Sequence, residues 1–197
     1  MVKCLLISGS PRKGNSDIVL GKIFEKIECE KEIIYLRDKD IKHCTGCLVC
    51  AKSDKCSIKD DMGELLELMV WADVIVIGTP NYFDNVPGLL KDFIDRTNPF
   101  YETDMLKGKK LVSIVVGGGK IVNSRRVSEH ALTYFSNAHK LDFVDSYYFS
   151  DLGVDDVLED KSLDATVDTI ALMINERLLA LSILQNLDYC NNAFQNL

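Results

Sequence analysis

The chain has 197 residues, 47% of them hydrophobic, and a formal net charge of -7. That size and apolar content suit one domain with a sizeable core, and the negative balance argues against nucleic acid, whose phosphates would repel it. No run approaches the roughly 20 apolar residues of a membrane span, and the opening "MVKCLLISGSPR" reaches turn chemistry too early for a signal peptide, so a cytoplasmic location is expected.

In chain order, residues 2–7 ("VKCLLI") form an apolar run stopped by Gly9 and Pro11, which predicts a buried strand and a turn. Asn15, Ser16 and Asp17 supply N-cap chemistry for a helix over 15–28, with apolar residues at helical spacing from Ile18 to Ile27. Residues 32–36 read as a second strand. A cysteine-rich irregular segment, an insertion over 37–60, comes next.

A helix is expected over 60–72, with acidic residues at its N-terminus, and a strand rich in β-branched residues over 73–80. Pro87 opens a helix over 86–97. A strand over 110–119 runs into three glycines, a helix fits 124–138, and a fifth strand fits 141–149. A helical pattern, broken once, covers 157–186 within a C-terminal helical extension over 157–197. Residues 142–168 are rich in carboxylates and read as a solvated acidic face. Continuously apolar strands alternating with helices call for an α/β architecture, a doubly wound parallel sheet covered on both faces.

In such sheets ligands bind beyond the carboxyl ends of the strands. The loop "SGSPRKGNSD" (8–17) leads into a helix N-terminus, whose free N–H groups suit a phosphate. Ser10, Asn15 and Ser16 can add donors and Arg12 a charge. Gly9 and Gly14 have P-loop spacing, but Asn15 stands where that motif needs lysine, which favours a monophosphate over a triphosphate. A plain turn with an N-cap is the alternative. The third strand ends in "TPNYFDNVPG", offering Pro80, Asn81, Tyr82, Phe83 and Asn85, and the fourth ends in Gly117, Gly118 and Gly119. A phosphate cradle, an aromatic-edged wall with amide donors, and a glycine floor together suit a flat heteroaromatic ring carrying one phosphate, such as FMN.

Cys44, Cys47 and Cys50 follow at C-x2-C-x2-C, with Cys56 five residues later. Four thiolates so placed can hold a [4Fe–4S] cluster. Structural zinc and disulfides are the competing readings, although three ligands within seven residues suit a cubane better than tetrahedral zinc. Cys4 reads as a core residue, and Cys29 and Cys190 receive no role. His43 reads as an exposed neighbour of the cluster, His130 and His139 receive no role, and Trp71 reads as core or subunit contact.

"GSPRKGNSD", "GTPNYFDNVPGLLKDFIDR" and the cysteine run ending in "CSIKDDM" resemble the iron–sulfur flavoprotein branch of the NADPH-dependent FMN reductase family, over about residues 1–120. The resemblance implies a flavodoxin-like fold with five parallel strands in the order 2-1-3-4-5. It implies that Ser10, Arg12, Asn15 and Ser16, around Gly14, hold the FMN phosphate. The 80–85 loop would lie along the isoalloxazine, residues 117–119 would border it, and all four clustered cysteines would ligate one [4Fe–4S] cluster. The expected function is electron transfer between NAD(P)H or a ferredoxin-type carrier and a small acceptor (quinone, dioxygen or peroxide), in a homodimer or homotetramer. The alternatives are a cluster-free NAD(P)H:FMN or quinone reductase, a flavodoxin-like carrier, and a zinc-stabilised binding module.

Overall fold

The computed structural model describes residues 2–176, apart from 54 and 155. Five strands, β1 (Lys3–Ser8), β2 (Glu30–Tyr35), β3 (Val74–Pro80), β4 (Lys110–Val116) and β5 (Asp142–Phe149), form one sheet in the order β2-β1-β3-β4-β5. Every pairing is parallel. The order is the one the family resemblance implied. Burial explains why the inner strands were plain in the sequence. β1, β3 and β4 are covered on both faces and are apolar almost throughout, whereas the edge strand β2 is at most half-buried and β5 buries only Phe149. β5 also carries an irregularity opposite Leu111 and Val112.

The two faces have separate cores. On one, Leu5, Ile7, Ile75 and Ile77 pack against α3 (Met62–Trp71), through Leu65 and Met69, and α4 (Gly88–Arg96), through Leu90 and Phe93. On the other, Leu6, Val76 and Ile114 pack against α1 (Asn15–Lys26), through Val19, Leu20 and Ile23. Residues 163–176 are helical, designated α7, and close that face with Val167, Ile170 and Ile174. The expected break in the last helical pattern falls at a turn over 160–162, after a single 3-10 turn (Asp156–Glu159). The expected continuation of that helix to 186, and Cys190, lie outside the described residues.

The remaining helices are a four-residue turn, α2 (Cys50–Ser53), and α5 (Ile121–Val127) joined to α6 (Thr133–Ala138) by a π-helical turn at Ser128–Leu132. The helix expected over 124–138 thus begins three residues earlier. The strand expected over 110–119 ends at Val116, because the glycines after it leave the sheet. Pro87 is the N-cap of α4 rather than a residue of its first turn. Among the described residues no helix is long and apolar enough to cross a membrane.

Candidate functional site

The carboxyl ends of β1, β3 and β4 surround a cavity of about 120 Å³. The β1–α1 loop contributes Ser10, Arg12, Gly14, Asn15 and Ser16 to its lining. Local bonds hold this loop. Ser8 Oγ donates to Asp17 Oδ1 at 2.6 Å, and the Arg37 guanidinium meets Asp17 Oδ2 at 2.8 Å. Ser10 Oγ donates to the Arg12 carbonyl at 2.6 Å, curling the loop around its own hydroxyl. Gly14 is the N-cap of α1 and no side chain caps it, so Asn15, Ser16 and Asp17 do not play the capping part expected of them, and the first N–H groups are left for an anion.

Asn15 is tied differently. Its Nδ2 donates to the Gly153 carbonyl at 2.9 Å, and its Oδ1 accepts the Val157 N–H at 3.2 Å. The side chain therefore fastens the segment after β5 onto the head of α1. That brings Leu152 and Gly153 into the cavity wall, two residues to which the sequence reading gave no role. They follow the end of β5, so the strand-end rule that drew attention to the other loops could have found them.

From the β3–α4 loop, Pro80, Asn81 and Tyr82 reach the cavity. The Asn81 N–H bonds the Val116 carbonyl at 2.7 Å and pins the loop to β4. Tyr82 and Asn85 exchange backbone bonds of 2.9 and 3.1 Å across a two-residue turn. Phe83 and Asp84, at its tip, have φ of +53° and +56°, the left-handed pair that a tight hairpin demands and that side chains disfavour. Phe83 is fully exposed there, and Asn85 turns its Oδ1 to the Val86 N–H. Neither lines the cavity.

Gly117 and Gly118 line it and Gly119 does not. A Cβ on Gly117 would lie 3.2 Å from Asn81 Cβ and 3.3 Å from Ser124 Oγ, and one on Gly118 would lie 3.1 Å from the Leu152 carbonyl oxygen. Three polar atoms near these strand ends, Asn81 Oδ1, Ser124 Oγ and Ser150 Oγ, are buried without a partner among the described residues. Such atoms are costly unless something satisfies them, and a ring bearing N–H and carbonyl groups has the right chemistry. The cavity itself has room for a phosphate-sized group. These residues fit FMN.

The cysteine insertion lies against the end of α4. Cys44, Cys47, Cys50 and Cys56 all line a second cavity of about 380 Å³, with Ser57, Arg96 and Asn98. All four are free thiols. Among the described residues no three Cys, His or carboxylate groups meet at metal-ligating distance. Gly46 and Leu48, with φ of +64° and +58°, turn the chain between the first three cysteines. Cys47 Sγ lies 3.3 Å from Ser57 Oγ, and Asn98 Nδ2 donates to Cys50 Sγ at 2.9 Å. The Ser57 hydroxyl, helped by the Val49 N–H, draws the Cys47 thiol below its ordinary pKa. Soft thiolates with N–H and O–H donors behind them are a donor set suited to iron or another thiophilic metal.

The neck of the insertion is cross-tied. Asp61 Oδ2 accepts the Asp40 N–H at 2.8 Å, and Asp60 Oδ2 accepts the Lys42 N–H at 2.9 Å. Arg96 grips Asp60 with two bonds of 2.6 and 2.9 Å and donates to the Lys42 carbonyl at 2.7 Å. Burial would raise the Asp60 pKa, but the Arg96 bonds and the Lys42 and Met62 N–H groups together bring it down to about 2. His43, exposed as expected, meets Asp92 Oδ1 at 2.7 Å, and that hydrogen bond raises its pKa. His139 is buried against Thr97, with Nε2 to Oγ1 at 2.8 Å, and burial lowers its pKa. Asp60 and Arg96 sit inside two motifs that carried the resemblance, yet no charge or spacing rule singled them out.

The model of the NADPH-dependent FMN reductase family matches residues 2–153. An iron–sulfur flavoprotein of Archaeoglobus fulgidus is 50% identical over 99 residues, covering 49% of this chain and 49% of the relative. An iron–sulfur flavoprotein of Methanocaldococcus jannaschii is 37% identical over 123 residues, 60% of this chain and 64% of the relative. The chain thus spans about half to two thirds of the length of these relatives. A solved flavone reductase superposes with a TM-score of 0.69 at 24% identity, over 89% of this chain and 62% of that one, which shows a shared fold. With the match running from β1 through all three loops of the strand-end cavity to Gly153, the chain belongs to the NADPH-dependent FMN reductase family.

Proposed function

We propose that this protein is an FMN-dependent oxidoreductase with a [4Fe–4S] cluster on Cys44, Cys47, Cys50 and Cys56, passing electrons from a reduced carrier or NAD(P)H to a small acceptor. Bound FMN supplies two-electron and one-electron chemistry and a bound cluster one-electron chemistry. The chain's own contribution is placement. The uncapped start of α1 and Ser16 hold the phosphate, with Arg12 adding charge. Asn81 and the 80–82 backbone orient the ring, and Gly117 and Gly118 let it approach the sheet. The four thiolates hold iron. Homodimer or homotetramer assembly belongs to the same reading.

The observation that carries it is that all four thiols line one cavity, while a separate cavity at the strand ends has a lining that suits a flavin phosphate. The relatives named iron–sulfur flavoproteins support the cluster. The test is anaerobic purification followed by an absorption spectrum and iron, sulfide and flavin assays. Four irons and one FMN per chain are expected. Flavin without iron after reconstitution turns the reading to a cluster-free NAD(P)H:FMN or quinone reductase, and colourless protein after reconstitution with both overturns it.

A further inference from the structure

Arg96, the last residue of α4, is 1% exposed. A charge so deep needs a reason. Its carboxylate partner Asp60 satisfies Nη1 and Nη2, yet a buried ion pair is weak evidence for stability, since an apolar pair of similar volume often serves as well. The position of this pair is more informative. Arg96 lines the cysteine cavity together with Cys56. It also borders the neighbouring cavity of about 670 Å³, again beside Cys56. Asp60 grips the two terminal nitrogens, and Nε is buried with no partner among the described residues. Arg96 and Cys56 thus meet in the lining of both cavities.

The other donors point the same way. Asn98 Nδ2–H is directed at Cys50 Sγ and the Ser57 hydroxyl is paired with Cys47 Sγ. Two of the four thiols therefore have a polar donor beside them, and Cys56 shares both cavity linings with the Arg96 guanidinium. A cation and hydrogen bonds to sulfur stabilise the more negative, reduced form of a thiolate-bound cluster and raise its reduction potential.

We propose that Arg96 is a positioning residue of the cysteine cavity, held by Asp60 so that a buried positive charge stands against Cys56 and raises the potential of the bound cluster. This rests on the cluster reading above. The test is a redox titration of the reconstituted full chain, with iron and FMN counted in each variant. Arg96→Met is expected to lower the cluster midpoint by at least a tenfold change in the oxidised-to-reduced ratio, about 59 mV for one electron. Arg96→Lys, which keeps the charge, is expected to recover more than half of that shift. If Arg96→Met strands Asp60 and fails to fold, Arg96→Gln, which can still bond Asp60 but carries no charge, is read instead. Loss of iron with FMN retained overturns the tuning role, because the ties of Arg96 to Asp60 and Lys42 at the neck then account for it. An unchanged midpoint in an iron-loaded variant overturns it and leaves the cluster reading standing. Loss of iron and FMN together from Arg96→Gln overturns it as well, because the pair is then structural. Wild-type protein that takes up flavin but no iron fails the underlying reading instead.

Discussion

The strand-end cradle and the cysteine insertion are built on opposite plans. In the cradle, Ser10, Asn15 and Ser16 are at most 8% exposed, and each loop leaves a strand whose register the sheet sets. Its groups are in place before any ligand arrives, so binding has little ordering to overcome. In the insertion, α2 buries no residue, Cys44 and Cys47 are exposed, and the segment is tied mainly at its neck. With the proposed cluster bound, such a site would be completed by its metal, and the free energy of ligation would become free energy of folding for the loop. Two sites on one domain therefore differ in what holds them: packing fixes the cradle, and on the proposed reading ligation would fix the insertion.

Substitutions can separate the two plans. The largest expected effect is complete loss of iron and sulfide in Cys47→Ala with one FMN per chain retained, measured by metal and flavin assays; loss of both would show that the sites are not independent. Next, Gly117→Val is expected to weaken FMN at least tenfold with iron unchanged, because even its Cβ would meet Asn81 at 3.2 Å. Fluorescence titration of the apoflavin protein measures this, and unchanged affinity would mean the glycine floor is not in contact with the flavin.

A smaller effect is expected at the neck. Asp60 has a folded pKa of about 2, below its unfolded value of about 3.9, so its contribution is full above about pH 5 and is lost as pH falls through 4 towards 2. Asp60→Asn is expected to destabilise the protein by roughly 2 kcal/mol at pH 7, and to flatten the acid limb of a stability–pH profile. An acid limb identical to wild type would show that the neck pair does not govern it. The smallest effect is expected at the hairpin tip. Asp84→Gly relieves a left-handed backbone at φ +56° and is expected to stabilise by about 0.5–1 kcal/mol, or roughly 2–4 °C in Tm, with iron and FMN contents unchanged. A lower Tm would mean that the contact of Asp84 with Arg126 outweighs the strain.

Much of this was written in local pattern. The apolar runs of β1, β3 and β4, the turn chemistry after each, and the spacing of the four cysteines are properties of short segments. Burial on both faces forces the first and thiolate coordination favours the last. Other features join residues far apart. Asn15 bonds Gly153 across 138 positions, which is why the wall formed by Leu152 and Gly153 could not be read from either segment alone. Arg96 reaches Asp60 across 36 positions, and neither side chain announces in sequence that it is buried beside a cysteine. By itself the sequence determined which segments are strands, where their ends offer ligand chemistry, and which thiols cluster, because each depends on neighbours in the chain. Only the tertiary structure decided which polar groups remain without a partner and which charge faces the cysteines, because hydrogen-bond satisfaction and burial depend on what the fold brings from elsewhere.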